Sequence, residues 1–264
     1  WGLTLAYDFS NNLNDYFFYL LLFFLGSVLM RSAGCIVNDI FDKKIDQKVH
    51  RTKLRPIASY KVSIKLAFFY TLVLCFLALL VLLNFNKLTI IIALASMPLA
   101  FSYPLMKRFT YWPQLFLGIT FNYGLILGWI CTKNQLEIIP LIFYFGAIFW
   151  TLGYDTIYGY QDIIDDEIIG VKSTSIKFKN NPMPLLILCY TIFVICIFTV
   201  GFLMNFNYIF YIFLILPTIH LFFYQVKNLN IENPTSCLQL FKSNNFFGFL
   251  IYINIIVGKL SINI

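Results

Sequence analysis

Two stretches gather most of the oxygen ligands in this chain. Asn38-Asp39-Ile40-Phe41-Asp42-Lys43-Lys44-Ile45-Asp46 sets an amide beside three carboxylates. On a helix turning about 100° per residue, Asn38, Asp42 and Asp46 step by only about 40° each and span roughly 12 Å. The second stretch runs from Asp155 to Glu167. If it is one continuous helix, Asp155, Tyr158, Asp162 and Asp166 spread over only about 80° of its surface, with Asp165 and Glu167 off that face. Eight of the twelve acids lie in these two stretches. Carboxylates packed together at a membrane boundary repel one another and are costly to desolvate, so a cation must compensate. Mg²⁺ accepts carboxylate oxygens and leaves coordination positions for substrate phosphates. Lys43 lies within the first stretch and Arg51 and Arg55 follow it, Lys107 and Arg108 come midway, and Lys172 follows the second. Acids for a metal, with Lys and Arg for the oxygens the metal leaves over, equip a diphosphate site. The plainer alternative is that the acids pair with neighbouring bases at helix ends.

The elements that carry these residues are apolar. Of 264 residues, 60% are hydrophobic and 12% charged, too little polar surface for a soluble domain. The expected fold is an all-α bundle of transmembrane helices forming a single domain over 1–264. Eight spans are predicted near 16–37, 62–84, 88–105, 112–131, 137–157, 184–203, 207–225 and 245–263. Pro98 and Pro217 fall inside spans and should kink them. Basic residues favour one set of loops, which the positive-inside rule assigns to the cytoplasm or the mitochondrial matrix. Both acidic stretches fall on that side. The net charge of +7 therefore reflects orientation, not nucleic acid. Lys48, Lys61, Lys65, Lys177 and Lys179 set topology and meet anionic lipid. The six cysteines form no CxxC pair and are expected as small core residues. Arg31, inside the first span, needs an anionic partner or substrate. A cation transporter is the alternative from another class. It predicts acids spread through the membrane depth, whereas these cluster on one side among Arg and Lys.

Asn38-Asp39-x-x-Asp42-x-x-x-Asp46 followed by His50-Arg51-Thr52-x-x-Arg55-Pro56 resembles the first signature of the UbiA superfamily of intramembrane aromatic prenyltransferases. Tyr154-Asp155-Thr156-x-Tyr158, then Asp162-x-x-Asp165-Asp166 and Gly170-x-Lys172-Ser173-Thr174, resembles the second. Tyr103-Pro104-x-x-Lys107-Arg108 is similar to the basic loop after the family's fourth helix. The blocks keep the family's order across essentially the whole chain and are most similar to its 4-hydroxybenzoate polyprenyltransferase branch.

The resemblance implies transfer of a polyprenyl group from its diphosphate to 4-hydroxybenzoate, ortho to the hydroxyl, as in ubiquinone synthesis. The haem, menaquinone and chlorophyll branches are the alternatives. It implies Mg²⁺ held by Asp42, Asp46, Asp162 and Asp166, with Asn38 and Asp155 as ligands or supports. Lys107 and Arg108 would draw charge off the diphosphate. Arg51, Arg55, Tyr103, Tyr158 and Lys172 would bind substrate, and Arg31 would face the aromatic carboxylate. Nine helices are implied, the first bearing a basic, proline-containing segment that nothing in residues 1–15 matches. The implied setting is a bacterial inner membrane, or else a mitochondrial one, with membrane lipid as a partner and the site facing the cytoplasm or matrix.

Overall fold

The computed structural model describes residues 1–260, which contain helices and no strand. A short α1 (Gly2–Ala6) precedes the long α2 (Leu13–Asp46) and α3 (Ile64–Leu82). Then come α4 (Lys87–Phe109), α5 (Pro113–Lys133), α6 (Ile138–Gly159), a short α7 (Ile163–Ile169) and a single turn, α8 (Thr174–Lys177). The chain finishes with α9 (Met183–Leu203), α10 (Tyr208–Val226) and α11 (Pro234–Lys259). Eight of these helices are long and apolar enough to cross a membrane, and they match the predicted spans within a few residues except at two ends. The first helix runs on to Asp46, so the acidic stretch is helical and not a loop. The last helix begins at Pro234, earlier than predicted, and residues 261–263 of the expected span lie outside the described residues.

Local chemistry sets the starts and breaks. The side chains of Asn12, Ser63, Asn86, Asn207 and Asn233 each accept from a backbone N–H of the first turn they cap. Pro98 is accommodated within α4, which tightens to a 3₁₀ turn over Tyr103–Leu105. Asn122 interrupts α5, and its amide reaches across to the Ala147 carbonyl and Thr151 Oγ1 of α6, at 3.1 and 2.7 Å. After Pro217, α10 widens to a π-helix over His220–Val226. Here the missing proline N–H and the looser turn go together.

The two halves of the bundle differ in burial. α6 and α9 form the interior, with Phe143, Leu152, Tyr190 and Phe193 all sealed. They approach closely because Gly146 and Gly153 lack side chains: an added Cβ would come within 2.6 Å of Cys196 or Tyr190. α2 and α3 pack on each other and turn rings such as Phe17, Phe24, Phe68 and Phe76 outward, as lipid-facing helices do. α1 is buried against α5, backbone to backbone, through Gly2 and Gly128. Lys259 closes its end by donating to the carbonyls of Thr4, Leu5 and Tyr7. The cysteines are free thiols, most of them buried as expected, but Cys35 is exposed on a cavity wall.

Candidate active site

The end of α2 delivers the first set of ligands. Asp42 and Asp46 are 1% and 5% exposed, a heavy desolvation for carboxylates. The turn-rich segment 47–62 folds back over them. Thr52 Oγ1 donates to the Asp46 carbonyl at 3.2 Å, and Gln47 Nε2 to that of Ala58 at 2.9 Å. This fold-back aims Arg55 at Asp46 and Asp39, at 3.0 and 2.9 Å.

The second acidic stretch is not the single helix expected. α6 stops at Gly159, a turn follows, and Asp162 stands at the start of α7, which Gly170 ends at φ +78°. At the break the later segment packs on bare backbone: a Cβ on Gly159 would lie 2.2 Å from Ser175 Oγ, which donates to the Thr156 carbonyl at 2.7 Å. Further bonds fasten the segment after α7. Thr174 N–H donates to Gln114 Oε1 at 3.0 Å, the Thr156 and Thr174 hydroxyls lie 2.7 Å apart, and Lys172 N–H donates to the Lys107 carbonyl at 2.8 Å. The chain bends, yet Asp155, Tyr158, Asp162 and Asp166 still face one space.

That space is a cavity of about 250 Å³. Asn38, Asp42 and Asp46 line one side of it, and Asp155, Tyr158, Asp162 and Asp166 the other. Of the other predicted residues, Arg51, Arg55, Tyr103, Lys107 and Lys172 also line it. Arg51 binds Asp162 through both nitrogens of one edge, Nε to Oδ1 at 2.8 Å, and its guanidinium lies 5.7 Å from the Tyr158 ring. Lys107 pairs with Asp42. The acids do take basic partners, then: Arg55 from the adjoining segment for Asp39 and Asp46, and Arg51 and Lys107 from remote segments for Asp162 and Asp42. Burial, reinforced by the neighbouring Asp162 charge, pushes the Asp166 carboxyl up to about 6.

The donor set suits a hard divalent ion. Asp42 Oδ1 is buried with no hydrogen-bond partner, an orphan that a cation would satisfy. Among the described residues no three acidic, histidine or cysteine side chains are grouped closely enough to hold an ion alone. A Mg²⁺ here would complete its shell with water and substrate oxygens, as that ion usually does.

Several predicted residues sit elsewhere. Arg108, expected to act on the diphosphate, is exposed outside the cavity and donates to the Phe41 carbonyl at 2.6 Å, tying α4 to α2. Asp39 is held by Arg55, Asp165 accepts from the His50 N–H at 3.3 Å, and Glu167 pairs with Lys179. Arg31 lines a second cavity, its guanidinium 4.7 Å from the Phe121 ring and close enough to Asp155 for the charges to interact. Thr52, Gln114 and Ser173 line the polar cavity and were not singled out. Ser173 stood within a quoted motif, whereas Gln114, just after Pro113, carries no signal in its sequence context.

The second cavity is larger, about 640 Å³, and almost wholly apolar. It runs between α2, α3, α4 and α5, and Tyr103 belongs to the walls of both cavities. A charged chamber thus adjoins an apolar channel within the bundle.

Comparison with known proteins agrees with this arrangement. Residues 1–251 match the UbiA prenyltransferase family. The mitochondrial 4-hydroxybenzoate polyprenyltransferase of Drosophila pseudoobscura pseudoobscura is 40% identical over 242 residues. That alignment takes in 90% of this chain, which spans about 60% of the relative's length. The fold is that of a UbiA homolog from Aeropyrum pernix K1, with a TM-score of 0.81 at 20% identity, covering 98% of this chain and 94% of that one. A UbiA homolog from Archaeoglobus fulgidus bound to GPP and Mg²⁺ superposes with a TM-score of 0.70 at 17% identity, over 97% of this chain and 90% of its own.

Proposed function

The chain belongs to the UbiA prenyltransferase family, and from that premise we propose that it transfers a polyprenyl group from polyprenyl diphosphate to 4-hydroxybenzoate. The observation that carries this reading is the junction at Tyr103. There, carboxylates from two remote segments and cations from three others face one chamber, and an apolar channel leads away from it. A diphosphate with a prenyl tail has that same division of polar head and apolar chain. The Drosophila relative's name supplies the acceptor, and it favours a mitochondrial over a bacterial membrane.

Asp42, Asp46, Asp162 and Asp166 would hold Mg²⁺, with Asn38 and Asp155 beside them. The metal, when bound, would neutralise diphosphate oxygens and so ease departure of the leaving group. Lys107, Arg51 and Arg55 would take the remaining oxygens, where negative charge grows as the allylic C–O bond breaks. The ring carbon ortho to the hydroxyl then bonds to the allylic carbon. Diphosphate leaves with the electrons of the broken bond, and loss of the ring proton restores aromaticity. Arg31, at the head of the channel, would face the acceptor's carboxylate, and Tyr103 beside it would contact substrate. The apolar wall keeps water from quenching the allylic cation.

The test uses membranes holding the protein, incubated with 4-hydroxybenzoate, a polyprenyl diphosphate and Mg²⁺. Mass analysis should find a prenylated hydroxybenzoate. Asp42→Ala or Asp162→Ala should abolish it while the protein still accumulates. Full activity in either variant would sink the metal assignment.

A further inference from the structure

Apart from Gly170, which ends α7 at φ +78°, and Gly248, in ordinary contact with Trp1, the glycines divide into two kinds. Eight are packed so closely that an added Cβ would come within 3.0 Å of a neighbour, which is reason enough for a glycine. Gly34 and Gly124 differ: nothing lies within 4 Å of the Cβ that either would carry, and Gly26 has only Val81 at 3.9 Å. All three sit inside or beside helical segments, where glycine is a poor choice. All three line the large apolar cavity. Helix packing does not account for them, but a wall that must stay bare does.

The cavity also has an end. One face of α2 lines the polar chamber through Asp42 and the channel through Gly34 and Gly26, as far as Phe23. The helix from Phe23 to Asp42 measures roughly 28 Å. At the far end the Phe23 and Phe85 rings meet at 4.9 Å, and Tyr19 stacks on Phe85 at 5.8 Å. Phe85 lies in the turn after α3. Its neighbour Asn86 fixes that turn by donating to the carbonyls of Ile130 and Cys131, at 2.9 and 3.1 Å.

We propose that the Phe23–Phe85 pair is a floor that sets how long a prenyl chain the bundle encloses, and that Gly26, Gly34 and Gly124 are the bare wall beside which the chain lies. The proposal rests on the prenyl-transfer reading above and adds its specificity determinants. A floor acts only on chains that reach it, so its removal should alter long donors and not short ones. Bulk on the wall should also act on the long donors, but against them.

The experiment compares kcat/KM for geranyl, farnesyl, geranylgeranyl and solanesyl diphosphates, with 4-hydroxybenzoate and Mg²⁺, using the full chain in membranes. Phe85→Ala should raise the solanesyl-to-geranyl ratio about tenfold, and Gly26→Leu should lower it by about as much. Phe85→Leu, which keeps an apolar side chain in the turn, replaces Phe85→Ala if that variant does not accumulate. Ratios equal to wild type in the accumulating Phe85 variant and in Gly26→Leu would overturn the proposal, since the chain would then leave the bundle sideways. A wild type that prenylates with none of the donors would instead overturn the underlying reading.

Discussion

At the scale of single residues, Asp42 and Lys107 carry the sharpest energetic statement. Asp42 is sealed, with one oxygen on Lys107 and the other on nothing. Removing Lys107 leaves a buried charge without compensation, a loss of about 3–5 kcal/mol for a fully buried pair and less where the partner is partly solvated, as Lys107 is. Lys107→Met should therefore lower the unfolding temperature in metal-free detergent more than the double variant Asp42→Asn/Lys107→Met does. A double variant as unstable as the single one would show that the pair does not hold the site. The spacing of Asn38, Asp42 and Asp46 was legible, because a helix repeats its face every three to four residues whatever surrounds it. Who pairs with whom was not. Arg51 lies 111 residues from Asp162 and Lys107 lies 65 from Asp42, separations bridged only by the packed bundle. Arg108 misled for the same reason: its neighbour Lys107 turns into the chamber, and only the fold shows that Arg108 turns out.

Among the elements, the bend between α6 and α7 is what the helical pattern concealed. Offsets of 0, 3, 7 and 11 suit one helix, but the chain turns after Gly159, where Ser175 packs against the glycine's bare backbone. The contact comes from a segment beyond α7, so no local pattern announces it. The apolar spans themselves were legible, since length and hydropathy are summed over many residues. Two ends were far off: the end of the first span, because hydropathy falls where the acids begin although the helix does not stop, and the start of the last, where the helix opens in a more polar stretch at Pro234. Gly159→Ala tests the bend. A forced methyl should cost about 1–3 kcal/mol, displace Lys172 and Ser173 from the chamber, and lower prenyl transfer well below that of wild type at equal protein level. Adding Ser175→Ala removes the closest contact and should restore part of the activity. No recovery in the double variant would mean that Gly159 matters for some other reason.

Taken whole, the molecule sets its chamber where a sealed half, built on α6 and α9, meets a lipid-facing half built on α2 and α3. The protein's own side chains neutralise this seam, since Arg51, Arg55 and Lys107 hold Asp162, Asp46 and Asp42. These are the groups that a diphosphate and a divalent ion would each claim. A diphosphate alone would draw the cations away and leave buried carboxylates repelling one another. A divalent ion alone would displace the cations and leave them unpaired. Together the two ligands exchange every pair for a new one, so their binding should be positively coupled. Ligand binding to the folded state raises its stability by about 2.7 kcal/mol at a hundredfold excess over Kd. Mg²⁺ and pyrophosphate added together should accordingly raise the unfolding temperature by more than the sum of their separate shifts. In Asp42→Ala that excess should shrink, because one of the exchanged pairs no longer exists. Simply additive shifts in the wild type would mean that the two ligands bind independently and that the internal pairs are not what they displace.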